Sequence, residues 1–211
     1  MFSEPAINKR NLLRRTGLTV LGLSIGALTV ACSDKKPAFS NIDVTDAAYA
    51  RQFELSDQNG KLRHLSDFAG KVVVVFFGYT QCPDVCPTTM LELSEIKKAM
   101  GKDGDRLQVI FVTVDPARDT PAVLKAYLEN FDPSFLALIP TPEQLPGVAT
   151  EFKVYYSKVE GKTPTSYTMD HSAFSYIYDT QGRLRLFSNY GTDRKLLAKD
   201  ISLLLNETRA G

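Results

Sequence analysis

The stretch Lys71-Val-Val-Val-Val-Phe-Phe77-Gly-Tyr-Thr-Gln-Cys82-Pro-Asp-Val-Cys86-Pro87 joins an unbroken apolar run to a proline-stiffened turn that holds two cysteines. Residues 71–77 show no alternation, which is the pattern of a central strand covered on both faces. Pro87 is tolerated at a helix start, and Met90, Leu91, Leu93 and Ile96 then supply an apolar stripe as far as Met100. The cysteines thus stand where a buried strand turns into a helix, and Cys86 is expected immediately before that helix. Backbone N–H groups at a helix start carry partial positive charge and favour thiolate over thiol. A spacing of four lets Cys82 fold back so that both sulfurs point at one spot, and Pro83 and Pro87 hold the approach by fixing φ.

Outward from this turn, Asn59-Gly60 is a hairpin signal between Phe53–Leu55 and Leu62–His64. Leu107–Val114 reads as a second buried strand, and Thr120-Pro121 opens a helix running toward Asn130. Residues 141–152 read as a helix made irregular by Pro146. Ala173–Tyr178 and Leu184–Phe187 flank Thr180-Gln-Gly182 as an antiparallel hairpin, and Asp193–Asn206 forms the last helix. This order predicts an α/β fold with a mixed central sheet flanked by helices. It resembles the thioredoxin fold with an added N-terminal hairpin. In that fold the redox cysteines sit at the junction of the first buried strand and first helix, where Cys82 and Cys86 fall.

The 211 residues suit one domain with a substantial core, and 44% hydrophobic with 23% charged residues are globular values. Lys and Arg total 25 against 24 for Asp and Glu, so nothing in the charge calls for a nucleic-acid partner. Lys9, Arg10, Arg14 and Arg15 precede an uncharged run, Thr16 to Ala31, which is short for a membrane span and suits the core of a signal peptide. Val30-Ala31-Cys32 resembles a bacterial lipobox. Residues 1–32 are therefore expected to export the chain, with Cys32 lipidated or the segment kept as an anchor, facing the periplasm or outer face of the inner membrane. Residues 33–50 are polar and aperiodic, a flexible spacer by expectation, and 51–211 form the domain. Export places Cys82 and Cys86 in an oxidising compartment.

A merely stabilising disulfide is a poor motive here, because so small a loop removes little unfolded-state entropy. There are two histidines. His64 reads as a solvated strand-end residue. His171, in Tyr167-Thr-Met-Asp-His171-Ser-Ala, precedes a strand expected beside the cysteine-bearing one, so its loop faces the cysteine turn. Thioredoxin-type reductases carry a proline in that loop, and here none follows Thr165. Two soft thiolates and one imidazole suit copper or zinc, not magnesium or calcium. Structural zinc wants four protein ligands, so a three-ligand copper site is the better fit.

The chain resembles the Sco/SenC family of thioredoxin-fold copper proteins that assemble cytochrome c oxidase. Three segments carry the likeness: Phe76–Pro87; Val112-Thr-Val-Asp115-Pro-Ala-Arg118-Asp119-Thr120-Pro121; and Asp170-His171-Ser-Ala with Tyr176 and Tyr178. The resemblance implies Cys82, Cys86 and His171 as ligands for Cu(I) and Cu(II), with Cys82 and Cys86 also a redox pair. It implies as partners the copper-receiving subunit of cytochrome c oxidase, other copper chaperones or thiol reductases, and the membrane through the amino end. Copper delivery, disulfide reduction without metal, and copper or redox sensing all use the same residues. Asp115, Arg118 and Asp119 read as capping and loop-bracing residues.

Overall fold

The computed structural model describes residues 38–163 and 166–207; Cys32 and the expected export segment lie outside them. In chain order come β1 (Ile42–Asp43), β2 (Glu54–Asp57), β3 (Leu62–His64), β4 (Val72–Gly78), α1 (Val85–Ala99), β5 (Leu107–Thr113) and α2 (Pro121–Glu129). Then follow β6 (Leu136–Ile139), α3 (Leu145–Phe152), β7 (Tyr156–Glu160), β8 (Tyr167–His171), β9 (Phe174–Tyr178), β10 (Leu184–Asn189) and α4 (Arg194–Glu207). Among the described residues the strands form one eight-stranded sheet, β1-β10-β9-β4-β5-β6-β2-β3, and a separate pair, β7-β8.

The sheet is mixed, as its order in the sequence implied. β4 pairs parallel with β5, and β5 with β6, while β9 lies antiparallel on the other side of β4. Every residue of β4 and β5 is buried, which is why β4 reads as a continuous apolar run and β5 as one interrupted only by Gln108 before its terminal Thr113. α1 and α4 touch each other, α4 reaches β4, and α2 packs along β6. The N-terminal hairpin is present, with Gly60 at φ +78° in its turn. Thr120 caps α2, its hydroxyl accepting from Val123 N–H, with Pro121 at the first helical position.

Three expectations need correction. α1 begins at Val85, so Cys86 lies inside its first turn instead of before it, and Pro87 follows at a position that still needs no intrahelical N–H bond. The helix expected over 141–152 starts at Leu145, with Pro146 inside its opening turn. The spacer expected over 33–50 is, from Ser40 onward, part of the domain. Buried Asp200 of α4 accepts from Ser40 N–H, Asn41 N–H and Asn41 Nδ2, β1 pairs with β10, and Tyr178 donates to the Ala50 carbonyl at 2.7 Å.

Candidate metal centre

β4 ends at Gly78, and the chain crosses to α1 through Tyr79–Asp84. Cys82 is half-buried and Cys86 fully buried, and both are free thiols. The N–H of Cys86, in the first turn of α1, points at Cys82 Sγ at 3.4 Å. The helix start therefore favours charge on Cys82, not on Cys86 as its place in the sequence implied. A hydrogen bond from the Cys86 thiol holds Cys82 down to about 3, aided by His171 and the backbone N–H groups of Asp84 and Cys86, against the opposing effect of burial. The same hydrogen bond, burial and the neighbouring Cys82 charge push Cys86 up. The pair at rest is one exposed-side thiolate beside one buried thiol.

His171 closes the third side. It ends β8, beside Tyr156 of β7, and its Nε2 lies 3.4 Å from Cys86 Sγ. Its Nδ1 is 2.9 Å from the Ser172 carbonyl, which can only accept, so Nδ1 carries a proton and Nε2 is the nitrogen turned to the sulfurs. The ring meets Phe76 and Tyr79 edge-on, with centroids 6.1 and 5.8 Å away. One donor atom from each of Cys82, Cys86 and His171 lies within 4.8 Å of the others, and no other cluster of this kind occurs among the described residues. Two sulfurs and an imidazole nitrogen are a donor set for a soft or borderline metal ion. His64 stands apart, across from Glu54 in the β2–β3 hairpin and lining an open cavity of about 650 Å³ with Arg51 and Glu151.

One feature escaped the sequence reading. A Cβ on Gly78 would lie 2.8 Å from Cys86 Sγ and 2.9 Å from the Phe111 ring, so the absent side chain is what admits the buried sulfur. A lone glycine at a strand end was the available signal for such an approach. Asp115, Arg118 and Asp119 are expected to cap and brace, and their contacts show which of the two they do. Asp119, fully buried, accepts from Thr113 Oγ1 at 2.6 Å and from Thr80 Oγ1 at 2.5 Å, which pins the residue two before Cys82. Burial pushes its carboxyl up, opposed by those hydroxyls. Arg118 pairs with Asp115 and donates to Gln81 Oε1 at 3.0 Å. Loop bracing is thus their observed role, and the cap of α2 belongs to Thr120.

The SCO1/SenC family model matches residues 43–206. An SCO2-like protein of Rickettsia felis is 35% identical over 179 residues, covering 82% of this chain and 87% of its own. Protein SCO2, mitochondrial, of Saccharomyces cerevisiae is 37% identical over 151 residues, 71% of this chain and 50% of its own. Among solved structures, Bradyrhizobium japonicum ScoI with copper bound superposes with TM-score 0.66 at 44% identity, covering 72% of this chain and 97% of that one. Apo Sco1 from Thermus thermophilus gives TM-score 0.70 at 36% identity over 79% and 97%. The mixed sheet flanked by helices is the thioredoxin-like arrangement of these proteins. With the family model spanning nearly the whole described domain and the cysteine turn, the Asp115–Asp119 loop and His171 all inside the match, the chain belongs to the SCO1/SenC family.

Proposed function

We propose that the protein binds copper through Cys82, Cys86 and His171 and serves the assembly of cytochrome c oxidase, handing copper to a copper-receiving subunit. The observation that carries this is the convergence of two sulfurs and an imidazole nitrogen within 4.8 Å, half-exposed at the Cys82 side. Two thiolates with Cu(I) leave a net charge of −1 and with Cu(II) of zero, so the set tolerates both oxidation states. The Rickettsia and yeast relatives and copper-bound ScoI support the assignment.

A second use of the same pair is favoured by its asymmetry. The Cys82 thiolate can attack one sulfur of a target disulfide, releasing the other as thiolate. Cys86 then loses its proton to that leaving thiolate and attacks Cys82, freeing the target dithiol and closing a Cys82–Cys86 disulfide. Reduction of a target's cysteines before metal transfer would belong to the same task. Residues 1–32 act as the export address in this reading, with Cys32 as the lipid attachment that keeps the domain on the outer face of the membrane; the Val30-Ala31-Cys32 sequence supports it.

The deciding measurement is competition titration with Cu(I) and Cu(II). Cys82→Ser and Cys86→Ser are expected to abolish tight binding of both. His171→Ala is expected to damage Cu(II) binding more than Cu(I) binding, because two thiolates satisfy Cu(I) whereas Cu(II) prefers added nitrogen. Stoichiometric Cu(I) at unchanged affinity in either serine variant would reject the reading. In cells, deletion should lower oxidase copper content and activity, with rescue by added copper.

A further inference from the structure

His171 is carried by a strand that the main sheet does not hold. β8 pairs with β7 alone, in a two-stranded sheet separate from the eight-stranded one that bears the cysteine turn. Chain continuity through Ser172 and Ala173 to β9 anchors one end of β8, and contacts outside the sheet ladder set how the rest of the strand lies against the cysteine turn. Burial along β8 alternates, with Tyr167, Met169 and His171 half-buried and Thr168 and Asp170 exposed, so these three residues share the face turned to the body.

Two ties hold that face. The His171 ring itself meets Phe76 and Tyr79 edge-on, with centroids 6.1 and 5.8 Å away. The second is denser and centres on Arg118, in the loop between β5 and α2. Its Nη1 donates both to the Tyr167 carbonyl at 2.9 Å and to Gln81 Oε1 at 3.0 Å, so one nitrogen joins the start of β8 to the residue before Cys82. Its guanidinium lies 3.5 Å from the centre of the Tyr167 ring. The Tyr167 hydroxyl donates to Asp115 Oδ1 at 2.9 Å, and Asp115 pairs with Arg118 Nε, which closes a ring of three side chains.

We infer that Arg118 and Tyr167 are positioning residues: their stack and hydrogen bonds set where His171 stands relative to Cys82 and Cys86. Neither touches the three donor atoms. Tyr167 lies four residues before His171, about 13 Å along the strand, so it acts on the imidazole through the rigidity of β8. A planar, forked cation is required, because only that shape can stack on the ring while reaching Asp115, the Tyr167 carbonyl and Gln81 together. The inference rests on the copper reading of this site, and it deepens that reading by naming what selects for Cu(II), the state that depends on the imidazole.

The test uses Arg118→Ala, Arg118→Lys and Tyr167→Phe in the full chain, with two readouts. In the metal-free protein, nuclear Overhauser contacts between the His171 ring and the rings of Tyr79 and Phe76 report its position. In the loaded protein, Cu(I) and Cu(II) competition titrations are paired with the sulfur-to-Cu(II) charge-transfer band. Altered surroundings of a metal-binding histidine typically cost 10–100-fold, so Arg118→Ala should weaken Cu(II) by about tenfold or more and shift the band, with Cu(I) changed less than about threefold. Arg118→Lys should not rescue, and Tyr167→Phe, which keeps the ring, should fall between. Rescue by lysine, equal losses for both oxidation states, or unchanged ring contacts in Arg118→Ala would overturn the inference. If Arg118→Ala does not fold, Tyr167→Phe decides by the same criteria. If the wild type takes up no copper, the function proposed above fails, while the ring contacts still decide whether these residues place His171.

Discussion

At Gly78 the site tolerates no side chain. A methyl there meets Cys86 Sγ at 2.8 Å and Phe111 Cε2 at 2.9 Å, both in a core packed on every side. Overpacking of this kind costs about 1–3 kcal/mol, and the least constrained atom to yield is the sulfur. Gly78→Ala is therefore expected to lower stability by that amount in denaturant melts and to weaken Cu(I) in competition titration; a variant that destabilises without touching Cu(I) affinity would show that Phe111 moves instead. The cysteine pair makes a pH prediction. Cys82 is held down to about 3, so its thiolate is already formed throughout the range from pH 5 to 8. Alkylation of Cys82 in the reduced, metal-free protein should be nearly constant over that range. An ordinary thiol of pKa about 8.5 would instead slow tenfold for each unit of acidification. Cys86, pushed up and buried, should remain unlabelled. A tenfold fall in Cys82 labelling per unit would contradict the assignment of the thiolate to it.

Among elements, α4 does more than cover the sheet. Asp200 is fully buried and accepts from three donors of the segment ahead of β1, at 2.8–2.9 Å. Asp200→Ala would strand Ser40 N–H, Asn41 N–H and Asn41 Nδ2, a loss on the order of 2–4 kcal/mol for charged, buried hydrogen bonds. Hydrogen exchange should localise it: the Val44 N–H, bonded to the Arg185 carbonyl at 2.9 Å, should lose protection while amides of β5 keep theirs. Uniform loss across the sheet would instead mean global unfolding. Elements buried on both faces, β4 and β5, were legible because packing chooses nearly all of their residues. So were the helix capped by Thr120 and the hairpin turn at Asn59-Gly60, which have local chemical signatures. β6, four residues long and bracketed by Pro133 and Pro140, carried no periodicity to read. β7 and β8 were missed because, among the described residues, they pair only with each other, are largely exposed and contain polar residues throughout. The attachment of residues 40–50 was illegible for a related reason: its partners, Asp200, Arg185 and Tyr178, lie more than a hundred residues away. That Cys82, Cys86 and His171 come together was legible from residue type and place, and the bracing by Asp119 and Arg118 was legible only in outline, since its partners Thr80, Gln81 and Tyr167 are set by contacts that no local pattern encodes.

On the scale of the whole molecule, the eight-stranded sheet is bounded by very short strands, β1 with two residues at one end and β3 with three at the other. Behind β1 lies β10, six residues with Leu184, Arg185, Leu186 and Ser188 buried. Arg185 of that strand is tied to Thr45 Oγ1 at 3.0 Å and paired with Glu207, so the arm, the strand and α4 close over one another. Removing residues 1–50 takes away β1 and opens the N–H and C=O row of β10 that it covers. Unpaired strand edges template pairing with other chains, and short or covered edges prevent it. A chain beginning at Arg51 is therefore expected to self-associate on light scattering as concentration rises, while the full-length domain does not; a monomeric truncation of normal stability would refute this. Two residues of β1 thus act as a guard against aggregation, a duty unrelated to metal.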